Sequence, residues 1–150
     1  MSIINENTIE LAFIDQMVDQ GFVFNHGPDI APDSDNPQRK NFDSVVLENE
    51  LLKAIERLNP GVPSSAINEA HQKVLNLGTE DIMENNERFH TYLTNGVPVE
   101  FTKDGASKGV NVDLLDIENP DNNTYWVVNQ LVIKENNVNR RLDVVIYING

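Results

Sequence analysis

The sequence predicts a domain of the α/β class, of the α+β type, in which helices come first and a β-meander follows. Up to Gly96, apolar residues recur at the spacing of amphipathic helices. After Gly96, short segments rich in β-branched and aromatic residues alternate with clusters of Gly, Asn, Asp and Pro, which is typical of strands joined by tight turns. A chain of 150 residues is long enough to bury a core of its own, so one domain is expected.

The individual elements follow from the apolar spacing and from the residues that start and stop each run. Ile9, Phe13 and Met17 recur every four residues and predict the first helix, with Thr8 at its start and Gly21 after its end. On the same grounds, helices are predicted over about residues 8–20, 43–58, 64–77 and 79–93, and strands over about residues 22–26, 97–101, 111–117, 125–133 and 143–148, with an irregular loop at 27–38.

The composition excludes several kinds of site. The chain contains no cysteine, so disulfides, thiolate catalysis and zinc ribbons are excluded. The three histidines, His26, His71 and His90, lack the spacing of a metal-binding helix. Any metal would therefore be held by carboxylate oxygens, which favours Mg²⁺, Mn²⁺ or Ca²⁺ over zinc.

The charge of the chain, taken alone, argues against nucleic acid as a partner. The net charge is −13, and residues 1–38 contain seven acids and no Lys or Arg, whereas contacts to phosphate need cations. The alternative is that the acidity simply keeps a cytosolic protein in solution. No segment approaches the roughly 20 apolar residues of a membrane helix and the N-terminus lacks a signal-peptide pattern, so a cytoplasmic protein without a membrane partner is expected.

Asp143 is the residue around which a chemical site is predicted. It begins the most apolar segment of the chain, residues 143–148, and it directly follows Arg140, Arg141 and Leu142. With the two-residue period of a strand, Asp143 shares one face with Val145 and Tyr147. A carboxylate in this position is either paired with an arginine or available to bind a ligand, and the spacing leaves both interpretations open.

Residues 139–150, which read NRRLDVVIYING, resemble the strand–turn segment of the N-terminal nuclease domain in R subunits of type I restriction–modification enzymes. Further segments resemble that family in the same order along the chain: His26-Gly27, Asp29–Asp33, Arg57–Pro60, Asn85-Asn86 with Phe89-His90, Gly96–Glu100, Asn119-Pro120 with Asn123, and Asn129-Gln130. The resemblance covers about residues 5–150. No single segment is specific, whereas their order and spacing together are.

The resemblance implies a restriction-endonuclease-like fold, a mixed β-sheet flanked by helices, and a nuclease site of the PD-(D/E)xK type. In such a site an Asp and a Glu on adjacent strands hold Mg²⁺, and a Lys two residues after the Glu orients the attacking water. Asp143 would be the catalytic acid that binds the metal, Glu10 the helix carboxylate that supports the metal, and His26 a residue that lines the site. For Glu10 and His26, a solvated helix residue and a loop-packing residue stay open as alternatives.

The sequence departs from the family pattern at two points. Leu142 stands where the family usually has Pro, a position without a chemical role. No glutamate is followed two positions later by Lys, so the Glu-x-Lys strand is expected after Asn149-Gly150, a pair typical of hairpin turns. Residues 1–150 are therefore expected to form one endonuclease-like domain that is truncated before that strand and is inactive alone.

The resemblance also implies partners. They are double-stranded DNA and the modification and specificity subunits of the restriction complex, while ATP would act only in a translocase region of the longer subunit, outside this chain. Two alternatives stay open. The first is a non-catalytic protein-interaction module that retains the nuclease fold, and the second is a Ca²⁺-binding domain that uses the acidic loop Asp29–Asp35.

Overall fold

The computed structural model describes residues 5–150, which form two compact units. The first unit contains residues 5–48, residues 124–148 and Gly150, and the second unit contains residues 49–123 and Asn149. The elements in chain order are α1 (Glu6–Asp19), β1 (Val23–His26), α2 (Glu48–Leu58), α3 (Ser64–Leu75), α4 (Ile82–Asn95), β2 (Val97–Lys103), β3 (Ala106–Val112), β4 (Tyr125–Glu135) and β5 (Val138–Ile148), with short 3₁₀ helices at Gly27–Ile30 and Pro120–Asn122.

The first unit is built on a three-stranded sheet in the order β1-β4-β5. Strand β1 runs parallel to β4, with His26 in register with Asn129. Strand β5 runs antiparallel to β4, with Val144 in register with Asn129. The sheet is therefore mixed, as predicted, and β5 is an edge strand among the described residues. Helix α1 contacts both β1 and β4, and the side chain of Asn5 caps its N-terminus.

One hydrophobic core cluster of the first unit lies on one face of this sheet. Its members are Ile30, Leu47, Val128, Leu131 and Tyr147, with Trp126, Ile133 and Val145 packed against them. Along β4 the core positions change from even to odd numbers between Val128 and Leu131. The change coincides with Gln130, which has a φ of 52° and interrupts the regular alternation of side chains. Val145 and Tyr147 share the core face of β5, as the period of the strand predicts.

Arg39 is a charged residue that is buried in the first unit. Its side chain is buried, and its guanidinium donates hydrogen bonds to the backbone oxygens of Ser44 and Val132, each at 2.9 Å. Its Nε has no hydrogen-bond partner among the residues that the structure describes, and burial lowers the pKa of the guanidinium from its ordinary value. The residue ties the loop between β1 and α2 to strand β4.

The second unit contains α2, α3 and α4 with the antiparallel β2–β3 hairpin. Its buried apolar side chains come from α2, α3, the hairpin and the segment after it: Leu51, Ala54, Ile55, Ala66, Ile67, Ala70, Val74, Val97, Val99, Val112 and Leu114. Buried amides complete the packing. Asn59 donates to the backbone oxygens of Ile55 and Asp113, each at 2.8 Å.

The predicted α+β class is confirmed, and the three largest differences from the predicted boundaries, each of five residues, have local reasons. Helix α2 begins at Glu48 rather than near residue 43, because the side chain of Asn41 accepts the backbone N–H groups of Asp43 and Ser44 and holds a turn there. Strand β3 covers Ala106–Val112 instead of 111–117. The turn at Asp104 and Gly105, both with positive φ, brings β3 back along β2 at once.

The third difference concerns β5, which begins at Val138 rather than Asp143. Asn136 and Asn137 have φ values of 49° and 63°, so they form the tight two-residue turn that hairpins favour. The four C-terminal strands thus form two hairpins in two separate sheets rather than one continuous meander. Between residues 5 and 150, none of the helices combines the length and the apolar character needed to cross a bilayer.

Candidate active site

An open cleft of about 640 Å³ lies on the first unit and is lined by residues from α1, β1, β4 and β5. The three residues singled out from the sequence, Glu10, His26 and Asp143, all line this cleft. The complete lining is Asn5, Asn7, Glu10, His26, Asn129, Gln130, Arg141 and Asp143. Residues from both ends of the chain therefore meet at one place.

Glu10 is fixed by two neutral amides. Its Oε1 accepts a hydrogen bond from Nδ2 of Asn129 at 3.0 Å, and Nε2 of Gln130 donates to its Oε1 and Oε2 at 3.1 and 3.0 Å. Within residues 5–150 the carboxylate makes no ion pair. Three hydrogen bonds from amides to a partly buried carboxylate keep it in one orientation without neutralising its charge.

The backbone of β4 explains why two consecutive residues reach the same carboxylate. Neighbouring side chains in a regular strand point to opposite faces. Gln130 departs from that rule because its φ of 52° lies in the left-handed region, which costs a non-glycine residue about 1–2 kcal/mol. Asn129 is paired with Val144 and Leu131 with Leu142, so Gln130 and Asp143 occupy facing positions between these pairs.

His26 enters the same network at the end of β1. Its Nδ1 lies 2.8 Å from Oδ1 of Asn129, its neighbour in the parallel register. The chain Gln130–Glu10–Asn129–His26 is therefore a continuous series of hydrogen bonds along one wall of the cleft. The ring is partly buried, and its Nε2 has no partner among the described residues.

Gly27 allows β1 to lie this close to β4. A Cβ at this position would be 2.6 Å from the backbone oxygen of Asn129 and 2.7 Å from that of Gln130. Both neighbours are backbone atoms, which cannot rotate away as a flexible side chain can. Any residue with a Cβ at position 27, directly after His26, would therefore clash with the backbone of β4.

Asp143 is exposed and makes no hydrogen bond or ion pair with any residue in the range 5–150. The sequence left two interpretations open, and the arginines do not pair with this carboxylate. Arg140 pairs with Glu135 at 3.2 Å, and Arg141 lines the cleft without an ion pair in the same range. Asp143 is thus available to a ligand, although its role stays a prediction, as do those of Glu10 and His26.

The donor set fits part of a Mg²⁺ site. Within the described part of the chain, no group of three His, Cys, Asp or Glu side chains is arranged to hold a metal, the Asp29–Asp35 loop included. Mg²⁺ needs only one or two protein carboxylates, because waters and substrate phosphates complete its octahedron. Asp143 offers an unpartnered carboxylate and Glu10 a second one nearby in the lining, so the residues present fit half of such a site.

The sequence pattern assigns no role to Asn129, Gln130 or Arg141. Asn129-Gln130 contributes to the resemblance only as a segment, although two adjacent amides inside an apolar strand are a recognisable signal of a polar site. Their contact with Glu10 depends on the left-handed backbone of Gln130, which local pattern does not reveal. Arg141 stands out in the sequence only as a neighbour of Asp143.

Comparison with known proteins gives the family. A family model described as "Type I restriction enzyme R protein N terminus" matches residues 3–150. An endonuclease subunit assigned to the type I restriction enzyme MjaIXP of Methanocaldococcus jannaschii is 31% identical over 151 residues, and the HindI endonuclease subunit of Haemophilus influenzae is 30% identical over 148 residues. Each alignment covers 98% of this chain and 14% of the relative.

The chain belongs to the family of N-terminal domains of type I restriction enzyme R proteins. The resemblance drawn from the sequence is therefore confirmed. Because the chain spans about one seventh of the curated relatives it matches, it corresponds to one part of a much longer subunit in those proteins.

Proposed function

We propose that this domain is the DNA-cleaving part of a type I restriction enzyme R subunit. It would be a Mg²⁺-dependent endonuclease of the PD-(D/E)xK type that hydrolyses phosphodiester bonds in double-stranded DNA. The observation that carries the proposal is the shared cleft of Glu10 and Asp143, two acids from opposite ends of the chain. The names of the two relatives, both endonuclease subunits, support the reaction class.

The residues that line the cleft would have the following roles. Asp143 would hold the metal, since its exposed carboxylate has no partner in residues 5–150. Glu10, held by its amides, would be the second carboxylate that supports the metal. Arg141 contacts a phosphate of the DNA and offsets the charge of the two acids. When bound, Mg²⁺ polarises the phosphodiester and lowers the pKa of a bound water.

The partners proposed for the longer subunit are the modification and specificity subunits and double-stranded DNA, with ATP used by a translocase region elsewhere, in the cytoplasm. The net charge of −13 is compatible with this role. The matched relatives are about seven times as long as this chain, so other regions and subunits can supply the cations that hold DNA.

We further propose that residues 1–150 do not cleave DNA by themselves. No glutamate of the chain is followed two positions later by Lys, so the second half of the site must come from another segment. Strand β5 is an edge strand of the described sheet and carries exposed apolar side chains at Ile146 and Ile148. A Glu-x-Lys strand paired with β5 would cover this edge and place its acid beside Asp143.

The alternative function is a non-catalytic interaction module with the same fold. It stays open because no glutamate of residues 1–150 is followed two positions later by Lys. The sequence that follows Gly150 in the subunit discriminates the two functions. A Glu-x-Lys on an apolar strand supports the nuclease, and a strand without those charges supports the module.

The decisive variant is Asp143→Asn in the subunit that contains this domain, assembled with its modification and specificity subunits. Cleavage of plasmid DNA is expected to fall by roughly 1000-fold, since a catalytic metal contributes several kcal/mol of charge stabilisation. Asp104→Asn is the matched control, because Asp104 is an exposed acid with a positive φ in the β2–β3 turn, which Asn adopts readily. Cleavage by Asp143→Asn at the rate of the control would remove Asp143 from the mechanism.

A further inference from the structure

We propose that Asn129 and Glu10 together hold His26 as its Nδ1–H tautomer, so that an unprotonated Nε2 faces the cleft. There it would accept a hydrogen bond from the water that attacks the phosphodiester. The assignment of the tautomer stands on the geometry alone, whereas the role toward the water rests on the proposed nuclease function. Two separate measurements therefore test the two parts.

The orientation of the Asn129 amide is the first step. An ionised carboxylate is only an acceptor of hydrogen bonds, so the group that Asn129 presents to Glu10 must be its NH₂. The distance from Nδ2 of Asn129 to Oε1 of Glu10 is 3.0 Å. The amide oxygen is then directed away from Glu10, and it lies 2.8 Å from Nδ1 of His26. Reversing the amide would place oxygen against oxygen at Glu10.

The tautomer of His26 follows from that orientation. An amide oxygen accepts hydrogen bonds and donates none, so Nδ1 of His26 must carry the proton at 2.8 Å. In a neutral imidazole with a proton on Nδ1, Nε2 has the free lone pair. Glu10 thus sets the protonation site of a ring that it does not itself contact, through one intervening amide.

The arrangement is held at both ends. Two hydrogen bonds from Gln130 keep both oxygens of Glu10 in place independently of Asn129. Gly27 lets β1 lie close enough to β4 for His26 to reach its register partner. His26 therefore has little freedom to flip its ring without breaking a hydrogen bond inside a partly buried wall.

A hydrogen-bond acceptor at Nε2 of His26 would have a function in this cleft. His26 shares the lining with Asp143 and Arg141, and its Nε2 has no partner in the described part of the chain. An acceptor that lines the same cleft as this carboxylate could orient the attacking water by accepting its hydrogen bond. Mg²⁺ prefers oxygen ligands to imidazole nitrogen, so the ring would act on the water rather than on the metal.

The tautomer is measured by ¹⁵N NMR of the imidazole nitrogens in the 150-residue chain at about pH 8, where an ordinary histidine is neutral. We expect His26 to show a protonated Nδ1 and an unprotonated Nε2. In Glu10→Gln, the new side chain can donate or accept, so the amide of Asn129 is free to reverse and His26 should become a mixture of tautomers. His90, which is exposed, is the internal control and should not change. A proton on Nε2 of His26 in the parent chain would overturn the assignment.

The role toward water is measured in the assembled complex. His26→Asn should lower DNA cleavage by roughly 100-fold, the usual lower range for a group that handles a proton of the reacting water, and should flatten the pH profile. His90→Asn serves as the control. Parental cleavage by His26→Asn would refute the role while leaving the nuclease function intact, whereas parental cleavage by Asp143→Asn would refute the nuclease function itself.

Discussion

Gly27→Ala is the substitution for which the structure gives the sharpest expectation. The new methyl group would lie 2.6 Å from the backbone oxygen of Asn129, about 0.8 Å short of the 3.4 Å at which ordinary contact begins. Because the facing atoms belong to the backbone of β4, the strain can be relieved only if β1 moves away from β4. That movement would lengthen the hydrogen bond between His26 and Asn129, which lies directly beside the clash.

The expected cost follows from what overpacking costs in folded proteins. Forcing a methyl group into a filled space destabilises by about 1–3 kcal/mol, which lowers the melting temperature of a chain of this size by roughly 2–12 °C. Gly109→Ala is the matched control. Gly109 lies within strand β3, has no positive φ, and has no neighbouring atom within 4 Å of the place that a new methyl group would take.

Thermal unfolding followed by circular dichroism measures both variants in the 150-residue chain, and ¹⁵N NMR of His26 measures the effect on the site. Gly27→Ala should melt lower than Gly109→Ala and should lose the single tautomer of His26. If the two alanine variants melt within about 1 °C of each other and the His26 signals are unchanged, the close approach of β1 and β4 at the cleft is refuted.

Two further predictions concern polar residues away from the cleft. Arg39→Lys should lower the free energy of unfolding, measured in urea, by about 1.5–3 kcal/mol. The reason is that one ammonium group cannot replace the planar guanidinium that donates to Ser44 and Val132. An unchanged midpoint of the urea unfolding curve would contradict this prediction. Asn122→Ala should raise the pKa of Asp116 toward its ordinary value in an NMR titration, because the side chain of Asn122 is the largest cause of the lowered pKa. A carboxyl whose pKa is lowered by folding stabilises the fold above its unfolded pKa, and this contribution is lost as pH falls through the folded pKa. The variant should therefore be less stable than the parent at neutral pH and equal to it in strong acid.

Much of the fold could be predicted because it depends on local pattern. Helices α2 and α3 follow from the spacing of Leu51, Ile55 and Ile67, which are buried as that spacing predicts. Helix α1 was predicted from Ile9 and Phe13, and it forms although both side chains are exposed. The errors occurred where side chains or left-handed residues override propensity. A turn held by the side chain of Asn41 takes the place of the predicted first turn of α2. The left-handed turn at Asn136 makes β5 begin earlier than predicted, so the β4–β5 hairpin is longer. The division into two sheets depends on which strands pair, and periodicity carries no information on that.

The candidate site was predictable in part. The sequence alone singles out Asp143, Glu10 and His26, and these three residues line one cleft. It assigns no role to Asn129 and Gln130, because their contacts depend on a positive φ in β4 and on register with β1. Such features arise from tertiary packing and leave no periodic trace in the sequence. The expectation of a single truncated domain stays a prediction.

The central claim is that Asp143 belongs to the catalytic centre of a nuclease. It is tested most directly by measuring DNA cleavage and ATP hydrolysis together in the assembled restriction complex that carries Asp143→Asn. Loss of cleavage with ATP hydrolysis preserved is the predicted result, since the exposed side chain of Asp143 has no partner within residues 5–150 and the proposed translocase region lies outside this domain. Cleavage that continues at the rate of Asp104→Asn would contradict the claim.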